Sequence, residues 1–140
     1  QLTLRWFVRD LEIRATLIVS TIQEPLQEQL AAGKKSEIKK FFSRISQDER
    51  LYAVGYCATP AVAALASQSM PAEIRCDRLQ RWQGPGEHLL DSTRGPLHVA
   101  VRPLINSAGG GGNLVLVHDM GFVSRRSEET KRYVFSIADS

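Results

Sequence analysis

Leu4, Val8, Leu11, Ala15, Ile18 and Ile22 recur at spacings of 4, 3, 4, 3 and 4. Such a heptad pattern lies on one side of a helix and on no side of a strand, so the first thirty residues read as one long helix. Trp6, Ile13 and Leu17 add apolar surface on a flanking face. Pro25 lacks a backbone donor and crowds the preceding turn, which predicts a kink or break there. Leu26 and Leu30 continue the stripe, and Gly33 is a natural terminator. At 1.5 Å per residue a helix over 1–32 is a rod of about 45 Å, longer than a small domain is wide. Part of it is expected to protrude. The seam Leu4, Val8, Leu11, Ala15, Ile18 and Ile22 is then expected to meet its copy in a parallel homodimer.

A second helix is expected over 36–47, with Ser36 as a candidate N-cap. Its apolar face is Ile38, Phe41, Phe42 and Ile45, at i, i+3, i+4 and i+7. Lys34, Lys35, Lys39, Lys40 and Arg44 fall on the opposite side. After Arg50 the hydrophobic period changes from 3.6 to 2. Leu51 to Ala58 reads as a strand with a bend or bulge at Gly55. The segment 64–68 reads equally as a strand or a short alanine-rich helix. Residues 71–86 read as irregular, and 87–91, 97–105 and 114–119 as strands. The glycine-rich stretch 107–113 turns the last two into a hairpin. From 124 to 139 the chain returns to helix, with Val123, Ser127, Thr130, Val134 and Ile137 in heptad spacing. The fold class is therefore α+β: two helices, an antiparallel sheet of about five strands over 51–119, and an exit helix.

At 140 residues the chain is one domain, and hydrophobic residues at 43% exclude intrinsic disorder. Eighteen basic and fifteen acidic residues leave a net charge of +3, too mild and too dispersed for a nucleic-acid partner. No run approaches the roughly eighteen apolar residues a membrane span needs. The sequence starts at Gln1 with neither an initiator methionine nor a signal-peptide pattern, and so reads as a piece of a longer protein.

Ala108-Gly109-Gly110-Gly111-Gly112 imitates a phosphate loop, but a strand follows it rather than a helix N-terminus. It reads as a flexible hairpin turn. His88, His98 and His118 with Asp91 and Asp119 lack metal-ligand spacing, and neither a G-x-S-x-G elbow nor a base beside Cys57 is present. No metal, cofactor or catalytic centre is expected, and the domain reads as no enzyme. The strand from Leu97 places His98, Ala100, Arg102 and Leu104 on one face, with Leu97, Val99, Val101 and Ile105 on the other as core. Tyr56, Trp82, His98 and Arg102 are the candidate ligand-binding residues, if the irregular segment folds back over that first face. Cys57 and Cys76 are two thiols in a reducing compartment or one bridge in an oxidising one.

The helix, helix, sheet, helix order, GYCATP at 55–60 with Cys76, and LVLVHDMGFVSRRSEETKRYVF at 114–135 together resemble a known family. These are the PAS-like, single-Cache-type sensory domains that bacterial membrane receptors carry outside the cytoplasm, between two transmembrane helices. The ending is similar to the region preceding a second transmembrane helix and a HAMP domain. Some proteins of that group carry a trehalose-6-phosphate-synthase-like glycosyltransferase on the cytoplasmic side. The resemblance implies a periplasmic domain of an inner-membrane protein, with a Cys57–Cys76 disulfide and a small-molecule ligand. It implies that a ligand displaces the exit helix relative to the entry helix and so drives the output domain, an enzyme such as a kinase or that glycosyltransferase. A constitutive dimerisation scaffold that senses nothing is the alternative reading.

Overall fold

The computed structural model describes residues 2–58, 64–84, 86, 88–93, 95–104 and 112–121. Helix α1 spans Leu2–Ala32 and helix α2 spans Lys35–Asp48. Strands follow at Ala53–Ala58 (β1), Ala64–Ala66 (β2), Leu89–Ser92 (β3), Gly95–Leu104 (β4) and Gly112–Asp119 (β5), with a 3-10 helix at Cys76–Trp82. The fold is α+β. The exit helix expected at 124–139 and most of the glycine-rich turn lie outside the described residues.

The break expected at Pro25 does not occur, because α1 runs through it. The proline ring is exposed, so its missing donor falls on the solvent side of the helix. Gly33 ends α1 with φ +70 while its N–H reaches back to Gln29 and Leu30 at 3.1 and 3.2 Å, the left-handed closure glycine adopts without a Cβ clash. α2 begins one residue earlier than the sequence suggests, with Lys34 at the N-cap and no side-chain cap bond. Ser36 therefore sits inside the first turn and caps nothing.

The five strands form one antiparallel sheet in the order β2-β1-β5-β4-β3. The alanine-rich segment is a strand, pairing Gly55 with Ala66 and Cys57 with Ala64. Because β2 and β3 are the two opposite edges, the connection from 67 to 88 has to cross one whole face of the sheet. That crossing explains the burial of the central strands on both sides. Val54, Leu104, Leu114 and Leu116 pack under α1 and α2, against Ile18, Ile22, Leu26, Ile38, Phe42 and Ile45. Ala53, Cys57, Val99, Val101, Val115 and Val117 pack on the other face against Leu79 and Trp82 from the crossing segment. Burying side chains of this size contributes roughly 1.5–3 kcal/mol each, so two filled faces stabilise the domain more than one.

The helical seam is where the structure departs furthest from expectation. Val8, Leu11, Ala15, Ile18 and Ile22 are all buried within the chain itself, Ala15 completely. Val8 and Leu11 meet Met120, Phe7 and Leu89, and the later positions enter the main core. The stripe is intramolecular packing and is not free for a partner; the side chain of Leu4 lies outside the described residues. What α1 leaves exposed is the flanking face, with Trp6, Ile13 and Leu17 each more than half accessible.

Candidate functional site

Two polar features interrupt these apolar layers, one on each face of the sheet. On the helical face a carboxylate from α1, Glu12, reaches down to β4. Its Oε1 accepts from His98 Nε2 at 2.9 Å, and its Oε2 pairs with the Arg102 guanidinium. Arg102 also donates through Nη2 to the Glu12 carbonyl at 3.1 Å and through Nε to Thr16 Oγ1 at 3.1 Å. Alternation along β4 puts both residues on one face, and the helical pitch puts Glu12 and Thr16 above them. His118, directly across from His98 on β5, brings its ring centroid within 6.2 Å of the His98 ring. His88 presents Nδ1 to Glu12 Oε1 at 3.6 Å while its Nε2 donates to the Gly84 carbonyl. Its backbone is left-handed, φ 52, unusual outside glycine.

Burial sets the electrostatics here. The Arg102 and His98 partners hold the Glu12 carboxyl below its usual range despite the opposing cost of desolvation. Desolvation lowers His98, with Glu12 opposing that effect and His88 and Arg102 adding to it. His118 is pushed down to about 4, first by burial and then by His98 and Arg14. His98 Nδ1 and both ring nitrogens of His118 are buried with no hydrogen-bond partner among the described residues.

On the other face lies a cleft of about 450 Å³ between β1, β2 and the crossing segment. Gly55, Ala66 and Val115 form its floor, Met70 and Ile74 its wall. The Cys57–Cys76 disulfide, with Cα atoms 5.5 Å apart, ties the crossing segment to β1 along one side. Arg75 and Asp77 stand at the rim, joined by two hydrogen bonds of 3.1 Å and more than half exposed. The volume suits a small molecule, and the lining suits an apolar body with one polar end.

The four residues proposed from sequence as a ligand set do not converge. His98 and Arg102 are covered by α1 and engaged with Glu12. Trp82 lies on the opposite face, buried, with the Arg81 guanidinium 5.0 Å from its ring centre. Tyr56 stands on the helical face beside Leu114, and its ring lies where a Cβ on Gly112 would have to go. Tyr56 is among the residues that line the cleft, while its side chain packs against the helical-face core. The physical reason is the sheet itself: it separates the crossing segment from the His98 face. The three histidines do gather on one side, while Asp91 and Asp119 are exposed and Asp119 accepts from the Gly121 N–H. Among the described residues no group of three His, Cys, Asp or Glu side chains is placed to hold a metal ion. Glu12, Met70 and Ile74 had no signal of their own in the sequence. A carboxylate beside a buried stripe, one residue from Leu11, was the only available hint.

No family model, no curated protein and no solved structure matches this chain. Among the described residues no helix is long and apolar enough to cross a membrane.

Proposed function

We propose that this chain is a ligand-sensing extracytoplasmic domain of a membrane signalling protein, and that its ligand binds in the cleft behind the Cys57–Cys76 bridge. The observation that carries this reading is the cleft itself, a preformed cavity of about 450 Å³ with an apolar floor and an Arg75–Asp77 rim. A PAS-like or single-Cache-type relationship is part of the proposal, supported by the long entry helix laid on a five-stranded antiparallel sheet. A disulfide persists in an oxidising compartment, which favours the periplasm. Binding in the cleft favours one placement of the crossing segment, and a difference in affinity between two placements is what drives a signal. The same sheet carries α1 on its other face, so a change in the sheet reaches the entry helix. In the parent protein that movement passes through membrane helices and a HAMP domain to a cytoplasmic enzyme.

The test is thermal unfolding of the 140-residue domain against panels of amino acids, carboxylates, sugars and phosphates. A ligand at 100 times its Kd adds about 2.7 kcal/mol and raises the midpoint by several degrees. Ala66→Phe fills the cleft from β2, and the same compound is then expected to lose its effect. A full panel without a hit, or a hit that Ala66→Phe leaves intact, contradicts the reading.

A second reading, a constitutive dimerisation scaffold, is favoured by the exposed stripe Trp6, Ile13 and Leu17. These three are spaced 7 and 4 along α1, and a twofold partner would cover them. The two readings are compatible, since a sensing domain in a receptor can dimerise through the same face.

A further inference from the structure

We infer that Glu12, His98, His118 and Arg102 form a proton-controlled latch that clamps α1 to the sheet near neutral pH and releases it on acidification. The clamp is independent of whether the cleft takes a ligand.

The polar tie between α1 and β4 runs through one carboxylate. Glu12 receives His98 on one oxygen and Arg102 on the other, and Arg102 makes further bonds to α1 at the Glu12 carbonyl and Thr16. With neutral imidazoles the charges balance, one carboxylate against one guanidinium. Among the described residues, the groups facing the imidazole pair are Glu12 and Arg14 from α1, His88 ahead of β3, and Arg102 from β4. Glu12 is the sole anion among them. Arg14 is already shared with Asp10 on the exposed side, at 3.9 Å. A proton on His118 is therefore a charge placed in a nearly inaccessible site with no acceptor for either N–H among the described residues. A second on His98 places another cation against it across the strand pair. Lifting α1 hydrates all of these groups at once.

The direction of the linkage is fixed by the histidines. Clamped, His118 binds its proton only near pH 4; released into water, it binds at its ordinary value of 6.5. The released form thus holds more protons throughout that interval, and falling pH favours release. Glu12 acts in the same direction, because its clamped carboxyl resists protonation more than a free one. At pH 5 the His118 contribution multiplies the release constant by roughly 10 to 30 relative to pH 7.

Amide hydrogen exchange on the 140-residue domain at pH 7 and pH 5, corrected for intrinsic rates, reads release directly. Protection over Leu11–Ile22 is expected to fall at least tenfold and to stay below that of the β1 and β5 amides, which exchange only when the whole domain unfolds. His118→Phe keeps the volume and removes the proton, and most of the pH effect on α1 is expected to vanish. If that variant does not fold, ring nitrogen-15 titration of the wild type decides: loss of α1 protection has to follow protonation of His118 or His98. Equal absolute protection of α1 and the central strands at both pH values would mean that α1 opens only in general unfolding and would overturn the latch. So would α1 protection that ignores imidazole titration, or a pH effect that survives in folded His118→Phe.

Discussion

Removing the Cys57–Cys76 bridge gives a perturbation whose size follows from the fold. The cysteines are 19 residues apart, and the chain-entropy relation for a loop of that length gives about 11 cal/mol/K, or about 3 kcal/mol at 25 °C. The bridge ties the crossing segment to β1, next to Leu79 and Trp82, which pack on the sheet beside it. The Cys57→Ala, Cys76→Ala pair avoids burying a hydroxyl where Cys57 is 6% exposed. Urea unfolding followed by tryptophan fluorescence suits the measurement, since Trp82 is 2% exposed and Trp6 is largely exposed already. With a slope of about 2 kcal/mol/M, the midpoint is expected to drop by about 1.5 M. In native-state exchange the first amides to lose protection are expected to be Met70, Ile74 and Arg78, whose hydrogen bonds close turns within the crossing segment. A midpoint unchanged within about 0.3 M, with those amides still protected, would refute the claim that the disulfide holds this segment in place.

Phe42 is fully buried between α2 and the sheet, so Phe42→Ala is expected to cost about 3–5 kcal/mol, read by the same urea titration. Ala15→Leu forces added volume under α1 at a site with no exposure and is expected to cost about 1–3 kcal/mol, whereas a dimer seam would gain from it. Leu11→Glu with Ile18→Glu is expected to unfold the chain, while Ile13→Glu with Leu17→Glu leaves it folded; sedimentation at matched high concentration then shows whether the exposed stripe pairs two copies. Global stability is expected to fall as pH drops from about 6.5 toward 4, since unfolded His118 takes a proton that the buried ring refuses. His118 contributes up to about 3 kcal/mol over that range, and His118→Phe flattens the profile.

The elements of this fold were legible where a single local period decides them. Ile38, Phe42 and Ile45 are buried and Phe41 packs beside them, as the i, i+3, i+4, i+7 face of α2 requires. The strands were legible from alternation, with ends shifted by about two residues. Layering was not, because it depends on the order β2-β1-β5-β4-β3, which sends residues 67–88 across a face and buries both sides of β4. His98 and Arg102 looked like a solvated or ligand-facing pair because their partner, Glu12, lies 86 and 90 positions away. The heptad stripe of α1 was correctly apolar and wrongly assigned to a second chain. Periodicity reports that a face is covered, and only the tertiary arrangement reports by what. The disulfide required the resemblance, since two cysteines nineteen apart are compatible with a bridge without demanding one.

Transmission from the cleft to the entry helix is tested most directly by amide chemical-shift mapping of the 140-residue domain with a compound that raises its melting point. At saturation, Gly55, Ala66 and Ile74 are expected to shift through direct contact. Residues of α1 from Glu12 to Ile22, on the far face of the sheet, are expected to shift with the same titration midpoint. Perturbations confined to the cleft, with α1 unmoved, would contradict signalling through the sheet.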